Sequence, residues 1–588
     1  MRFPASTRRR LTALTAAAAL AATTLATGAT TSASPTKRVG PNDQVPNVAW
    51  APCFQDVAAD FAEFIPPEFG PPTYECSVVP VPLDHDRPNG PKIQISLVRL
   101  PALDPAQRIG SMFINPGGPG GSGVEFAVFG APFLYSPDLR SHFDIVGFDP
   151  RGIARSTALK CFGNLDQAFS IFQAPIVAFP KTLAEAQIWA SEDQRLADAC
   201  AQRGNKVLGH MSTANVARDL DLLRAAVGDD QLTYAGYSYG SYLGVTYANL
   251  FPDNVRALIV DGVLDPVEWS TGSPGKEDLP FSARLGSEIG AQATLDEFFR
   301  LCEEAGPAKC AFAPNAADRY EALAAALLAD EPVLLPIEVE PGVVIEIPIF
   351  YGDLIGMTLG AMYDSFSWSF VAEELAFLEA VVGGGFAAAP PGFSVGGDGQ
   401  LGYTSKRGFP RYMNFLEGFP AVACADSNNP DHIADWFDAA GEISSENYFR
   451  QLWTFASSPC LSFPAADDDR YMGPFTAETD TPLLVASTLY DPATPVHGAF
   501  AVKDLMPESG LLLVDGWGHT TLGISGCASF FSEQYLKTQV LPPEGLVCPQ
   551  DFNPFDLFGP GGPGGEGTEY EQAVRDARHR FFGESAST

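Results

Sequence analysis

Two stretches of the chain set a serine between glycines two positions to either side: Gly236-Tyr237-Ser238-Tyr239-Gly240 and Gly392-Phe393-Ser394-Val395-Gly396. A serine hydroxyl becomes a nucleophile when a turn exposes its oxygen and a neighbouring base takes its proton. Such a turn joins a buried strand to a helix, and its glycines remove side chains that would collide at the bend. The apolar run Leu232-Thr-Tyr-Ala235 before Ser238, and the helical pattern from Ser241 to Leu250 after it, supply both elements. Ser394 stands between an Ala/Pro run and a Gly/Asp run and reads as loop. Ser238 is the candidate nucleophile.

The base must be a histidine held in one tautomer by an acid. Of the seven histidines, His519 follows an apolar strand pattern in Val514-Asp-Gly-Trp-Gly-His519, where a parallel sheet collects reactive groups at strand ends. His497 falls inside a helical pattern and reads as structural, and the other five read as surface or packing residues. Asp491, in Leu489-Tyr-Asp-Pro-Ala-Thr-Pro495 after another strand pattern, is the candidate acid; Asp261 and Asp265 are the fallbacks, with turn or capping roles as their plainer reading. Charge developing on an acyl oxygen needs preorganised N–H donors. The Tyr239 N–H, directly after the nucleophile, is one; the other falls to the loop Pro116-Gly-Gly-Pro-Gly-Gly-Ser-Gly123, where Gly117 and Gly118 permit close approach and Gly118 is favoured. A phosphate cradle would need Gly-Lys-Ser/Thr after that loop, and none follows.

The elements that must position these groups alternate. Strand patterns at Ile93 to Leu100, Ser111 to Asn115, Phe143 to Phe148, Leu232 to Ala235 and Val255 to Val260 interleave with helical ones at Asn215 to Val227, capped by Ser212 or Thr213, and at Ser241 to Leu250. The alternation resumes with strand Pro482 to Ser487, helix Val496 to Leu505, strand Leu511 to Val514 and helix Ala528 to Thr538. Such repeats predict a mostly parallel sheet with helices on both faces. The intervening segment, 266–480, is mainly helical and reads as a large cap inserted into a core formed by 34–265 and 481–550. Residues 551–588 hold a Gly/Pro-rich linker and a short charged tail to which no chemistry is assigned.

The chain has 588 residues with 46% hydrophobic residues and a formal net charge of −35, enough apolar material for a large core. That surface repels phosphate backbones and anionic membranes, which disfavours nucleic-acid binding. Residues 1–33 carry Arg8-Arg9-Arg10, an Ala/Leu-rich stretch and small residues at Thr31-Ser32-Ala33, a secretory signal by either the general or the twin-arginine route. No other stretch reads as a membrane span. Ten dispersed cysteines without a CxxC pair predict five disulfides, most economically between neighbours: 53–76, 161–200, 302–310, 424–460 and 527–548. Neither a metal nor a cofactor is called for, and oligomeric state is not legible.

Asn115-Pro-Gly-Gly-Pro-Gly-Gly-Ser-Gly123, Asp149-Pro-Arg-Gly-Ile-Ala-Arg-Ser156, Gly236-Tyr-Ser-Tyr-Gly-Ser-Tyr-Leu-Gly244 and Asp491-Pro-Ala-Thr-Pro495 with Gly518-His519 together resemble the secreted tripeptidyl aminopeptidase group of prolyl-aminopeptidase-like α/β-hydrolases. The chain order Ser238, Asp491, His519 is the order of that fold. The resemblance spans about residues 50 to 550 and implies an α/β-hydrolase releasing short peptides, typically tripeptides, from the free N-termini of peptides through an acyl-enzyme. It carries nucleophile, acid and base to Ser238, Asp491 and His519, and the oxyanion donors to Gly118 and Tyr239. One departure is Ala154, where such enzymes often have glycine; it bears on local packing. Glu268, at the start of the cap, is a candidate for binding a substrate ammonium, with a solvated glutamate as the plainer reading. The rival functions are a secreted carboxylesterase or lipase with the same triad, and an inactive hydrolase fold serving as a surface binding protein.

Overall fold

The computed structural model describes residues 45–62, 64–65, 70–171, 178–329, 332–340, 343–384, 414–556 and 578–579. The signal-like segment, Ser394 and most of the Gly/Pro-rich stretch around it lie outside these residues.

Ten strands form one sheet: β1 (Ala51–Cys53), β2 (Tyr74–Pro82), β3 (Lys92–Leu100), β4 (Gly110–Asn115), β5 (Phe143–Phe148), β6 (Leu232–Tyr237), β7 (Val255–Asp261), β10 (Leu484–Tyr490), β11 (Gly510–Trp517) and β12 (Val547–Pro549). Their spatial order is β1-β2-β3-β5-β4-β6-β7-β10-β11-β12. The first three pair antiparallel and the strands from β5 onward are parallel. Every residue of β4, β5 and β6 is buried, as a parallel sheet covered on both faces requires. Side chains alternate between the two faces. Phe113 packs into the core under the helices Thr213–Ala226 and Tyr239–Leu250, whereas Met112 and Ile114 pack on the opposite face.

The strand order reverses at β4. The chain leaves β4 for β5 on one side, and β6 pairs with β4 on the other, with Asn115 opposite Gly236. The loops after β4 and β6 therefore meet outside the carboxyl ends of their strands, the crevice where open α/β sheets bind ligands.

Between β7 and β10 the chain builds the cap, with helices including Ser287–Ala305, Ala316–Ala329, Tyr351–Tyr363, Trp368–Val382 and Phe415–Asp426. The first four of these helices have an apolar core of their own around Phe298, Tyr320 and Trp368, whereas Phe415–Asp426 packs into the core beside the sheet. The cap also holds an antiparallel hairpin, β8 (Val333–Glu340) and β9 (Val343–Ile349), which helical periodicity does not anticipate. The helix Leu183–Arg203, closed at its start by a Thr182–Glu185 capping box, is a second unanticipated element.

Four of the five expected disulfides are formed: Cys53–Cys76, Cys161–Cys200, Cys302–Cys310 and Cys527–Cys548. The fifth expected pair, Cys424 and Cys460, is brought together as well, with the Sγ atoms 2.7 Å apart, longer than an S–S bond.

The Gly-rich loop reaches its position because backbone packs directly on backbone. A Cβ on Gly147 would lie 2.0 Å from the Gly123 oxygen, and one on Gly123 would lie 2.2 Å from the Phe148 oxygen. Both partners are backbone and cannot swing away. Gly147→Ala is expected to destabilise the fold by roughly 1–3 kcal/mol through overpacking, read as a fall in melting temperature. An unchanged melting temperature would show that strand and loop can separate.

Candidate active site

Ser238 stands between β6 and the helix Tyr239–Leu250, with φ 57° and ψ −127°. Few L-residues adopt that conformation, and it persists where surroundings over-determine it. Here they do. The Ser238 N–H donates to the Asp261 oxygen at 2.9 Å, and the Ser238 oxygen accepts from the Ser241 N–H and Oγ. The flanking glycines are needed for clearance: a Cβ on Gly236 would meet the Gly240 oxygen at 2.2 Å, and one on Gly240 the Asn115 oxygen at 2.7 Å.

The Gly-rich loop lies against this turn. A Cβ on Gly117 would be 2.7 Å from the Ser238 Cβ and 2.9 Å from the Tyr239 nitrogen. Gly117 and Gly118 have φ 99° and 109°, backbone that favours glycine. The Gly117 N–H is taken by Asn115 Oδ1 at 2.9 Å. Tyr239 heads its helix, where the first N–H groups have no intrahelical acceptor. Its ring is fixed against Trp269 and Tyr242, and its hydroxyl is bonded to Thr213. Thr213 donates in turn to Asp426, whose pKa burial pushes up to about 7.

His519 and Asp491 lie together at the ends of β11 and β10. His519 Nδ1 is 2.9 and 3.0 Å from the two oxygens of Asp491, and both residues are buried. Asp491 also accepts the N–H groups of Ala493, Thr494 and Thr520 at 2.9, 2.8 and 3.0 Å. Burial pushes the Asp491 carboxyl up, but the adjacent imidazole and these donors outweigh it and hold the pKa below the ordinary value. A carboxylate so held accepts only, so Nδ1 is the nitrogen that donates to it. The two halves of the site meet at the end of β7. Asp261 receives the Ser238 N–H on its carbonyl, and a Cβ on the next residue, Gly262, would lie 3.3 Å from His519 Cε1.

Asp261 is not the partner of His519. Its carboxylate accepts from the Thr521 N–H at 2.9 and 3.1 Å and from the Thr521 hydroxyl at 2.8 Å, bracing the histidine loop from below. Asp265 caps the helix Pro266–Ser270 by accepting from Val267 and Glu268. His497 Nε2 bonds the Leu285 oxygen at 2.9 Å. Glu268 is buried and bonded to Ser273 and Lys276 at 2.6 and 3.1 Å, so its carboxylate is committed to its own loop. Ala154 has φ 42°, which explains why a glycine fits that position, and its N–H donates to Asn414 Oδ1 of the cap at 3.0 Å.

Several positioning groups escape a local sequence reading. Thr520 has φ 66°, a strained conformation for a β-branched residue costing about 1–3 kcal/mol. The His519 N–H donates to the Tyr363 oxygen at 2.9 Å, and the Tyr363 ring packs edge-on to the imidazole at 5.1 Å. Among the described residues His210, Asp467 and Asp469 form a grouping with metal-ligand chemistry. Asp467, however, is already bonded to Ser212, Asn215 and Asp469.

A parallel sheet crossing over at a glycine-rich loop, a strained serine turn and a buried His–Asp pair define an α/β-hydrolase. Comparison with known proteins places it more narrowly. The alpha/beta hydrolase fold family matches residues 110–275, and the TAP-like protein family matches residues 446–548. The chain is 31% identical to serine protease Hip1 of Mycobacterium tuberculosis (strain ATCC 25618 / H37Rv), over 80% of this chain and 87% of that one. It is 30% identical to carboxylesterase B of the same strain, over 86% and 90%. With the tripeptidyl aminopeptidase of Streptomyces lividans it shares 28% identity, over 81% and 84%. The chain belongs to the TAP-like group of α/β-hydrolases and is a serine peptidase of that fold.

Burial raises the Asp261 pKa from its ordinary 3.8 to about 6, against the pull of the Thr521 bonds. Between about pH 4 and 6 the folded chain thus holds a proton that the unfolded chain has lost, and stability falls as pH rises through that window, on the order of 3 kcal/mol in total. Asp261→Asn removes this dependence. The melting-temperature advantage of the parent over the variant is expected to shrink from pH 4 to pH 7; a constant difference would rule out the raised carboxyl.

Proposed function

We propose that the chain is a secreted serine exopeptidase that releases short peptides, tripeptides in particular, from substrates with free N-termini. Ser238 is its nucleophile, His519 its general base and acid, Asp491 the group that holds the imidazole, and the N–H groups of Gly118 and Tyr239 its oxyanion hole. The observation that carries this reading is the meeting of the serine turn, the Gly117–Gly118 loop and the His519–Asp491 pair around Asp261 and Gly262. His519 takes the Ser238 proton as Oγ attacks the scissile carbonyl, and charge collects on the oxygen facing the two N–H groups. The imidazolium then protonates the leaving amine as the C–N bond breaks, and water, deprotonated by His519, releases the acyl group. No cofactor is required by these steps.

Tripeptide release rests on the relatives named tripeptidyl aminopeptidase. Export rests on the signal-like residues 1–33 together with four disulfides, which persist in oxidising compartments. Among the described residues no helix is long and apolar enough to cross a membrane. The division into core (34–265 and 481–550), cap (266–480) and tail is part of the same proposal. The relative named carboxylesterase B keeps ester hydrolysis as the second reading.

An N-terminally free tripeptide anilide is expected to be hydrolysed far faster than its acetylated form or a short acyl ester. Equal turnover of the blocked peptide would sink the exopeptidase reading, and turnover of the ester alone would establish the second. Ser238→Ala should abolish labelling by a fluorophosphonate, and Asp491→Asn should lower kcat by about 10³–10⁴ with little change in KM. Full labelling of Ser238→Ala would place the nucleophile elsewhere.

A further inference from the structure

The site draws on the far end of the chain. Arg578 follows the Gly559-Pro-Gly-Gly-Pro-Gly-Gly565 run by more than a dozen residues, and its side chain is fully buried beneath the histidine loop. One guanidinium nitrogen, Nη2, donates to the His519 oxygen at 2.9 Å and to the Thr520 oxygen at 3.5 Å; the other, Nη1, donates to the Leu522 oxygen. Nε lies 3.8 Å from Asp364 Oδ1, and His579 Nδ1 lies 3.0 Å from Asp364 Oδ2. Asp364 is itself buried, directly after the cap helix Tyr351–Tyr363, and bridges to Gly518, the residue before His519.

A buried guanidinium needs acceptors in a fixed fork, and here the fork is filled by three carbonyls, of His519, Thr520 and Leu522, in the loop that carries the imidazole. His519 is gripped on both backbone groups from outside that loop: Tyr363 of the cap accepts its N–H, and Arg578 of the tail donates to its oxygen. Thr520, in its left-handed conformation, is held the same way, with its N–H on Asp491 and its oxygen toward Arg578. Without the guanidinium, three buried carbonyls lose a charged donor and the Asp364 carboxylate loses its buried cation. The strained turn that aims the imidazole would then keep its N–H partners and lose the donors to its carbonyls.

We propose that Arg578, near the C-terminal end of the chain, is a positioning residue of the active site. This rests on the reading of His519 as the base. A displacement of the imidazole of the order of an ångström costs about a hundredfold in rate without touching the substrate-binding surface.

The test compares full-length parent, Arg578→Ala, Arg578→Lys and a chain ending at Asp556, using the tripeptide anilide and the rate of fluorophosphonate labelling. Arg578→Ala and the shortened chain are expected to lose roughly ten- to a hundredfold in kcat and in labelling rate, with KM within about twofold. Methylguanidinium added to Arg578→Ala should restore a substantial part of that loss, and Arg578→Lys, which keeps the charge but not the fork, should fall between. Values within twofold of the parent for Arg578→Ala would overturn the proposal. So would a loss that methylguanidinium leaves uncorrected. Ser238→Ala separates this outcome from failure of the functional reading: if it abolishes activity while Arg578→Ala does not change it, only the role of Arg578 is lost.

Discussion

A carboxylate with no solvent exposure stays charged only where donors replace the water it has lost, and Asp491 has such a set. The other features of the site follow from that requirement. Two of its backbone donors come from the turn after β10 and one from the turn after β11, so the two strands must end level with each other. Their parallel register, Thr488 opposite Val514 and Tyr490 opposite Trp517 across a local irregularity, brings this about. The third donor is the Thr520 N–H, which faces the carboxylate while Thr520 holds its strained φ. The charge that fixes the imidazole tautomer is thus bound up with backbone strain in the same loop, and the loop has to be braced from several sides.

A second constraint is distance between backbones. The N–H of an oxyanion donor must reach a substrate oxygen beside the serine, and a side chain on Gly117 would occupy that ground. Behind the loop, Gly123 sits against Phe148 and Gly147 against Gly123, so the loop is seated on β5 without an intervening side chain. Asp149, buried at the end of β5, completes the seat by accepting from Ser122, Val124 and Arg155. The cap closes over it: a Cβ on Gly120 would come within 3.4 Å of the Phe419 nitrogen in the helix Phe415–Asp426. Glycine, elsewhere a source of looseness, here lets three elements come together at one point.

Features encoded locally were legible in the sequence. The central strands β4 to β7 are fully or almost fully buried and read as short apolar runs ending in Gly, Pro or Asp; the serine turn has a motif whose glycines are each required by a specific backbone contact. The peripheral strands were harder. In β2, Tyr74–Pro82 carries Pro80 and Pro82, which weaken a strand pattern although the element lies beside β1 near the edge of the sheet. The hairpin β8–β9 sits inside a helical insertion, where its own periodicity is too short to stand out. Least legible were contacts closed across the whole chain. Asp364, Arg578 and Tyr363 sit in unremarkable surroundings in sequence and acquire their roles through partners far away. The expectation that residues 551–588 carry no chemistry came from their composition, which is silent on the buried contacts of Arg578.

These long contacts bear on how a cap can confer specificity. An insertion joined to a hydrolase core only by its two chain ends could change without disturbing the catalytic groups. In this chain the cap helix Tyr351–Tyr363 ends on the histidine loop: the Tyr363 oxygen holds the His519 N–H, and Asp364 bridges to Gly518 and pairs with the tail. Three buried acids, Asp261, Asp364 and Asp491, act on the buried Arg578 guanidinium; burial lowers its pKa while all three acids oppose that shift. Core, cap and tail each contribute charge to that set, so none can move far without unbalancing the others. Under the proposed function, a cap that selects the substrate and the base that acts on it are therefore mechanically one unit, and a change in the cap that alters which peptides enter also alters how firmly the imidazole is held.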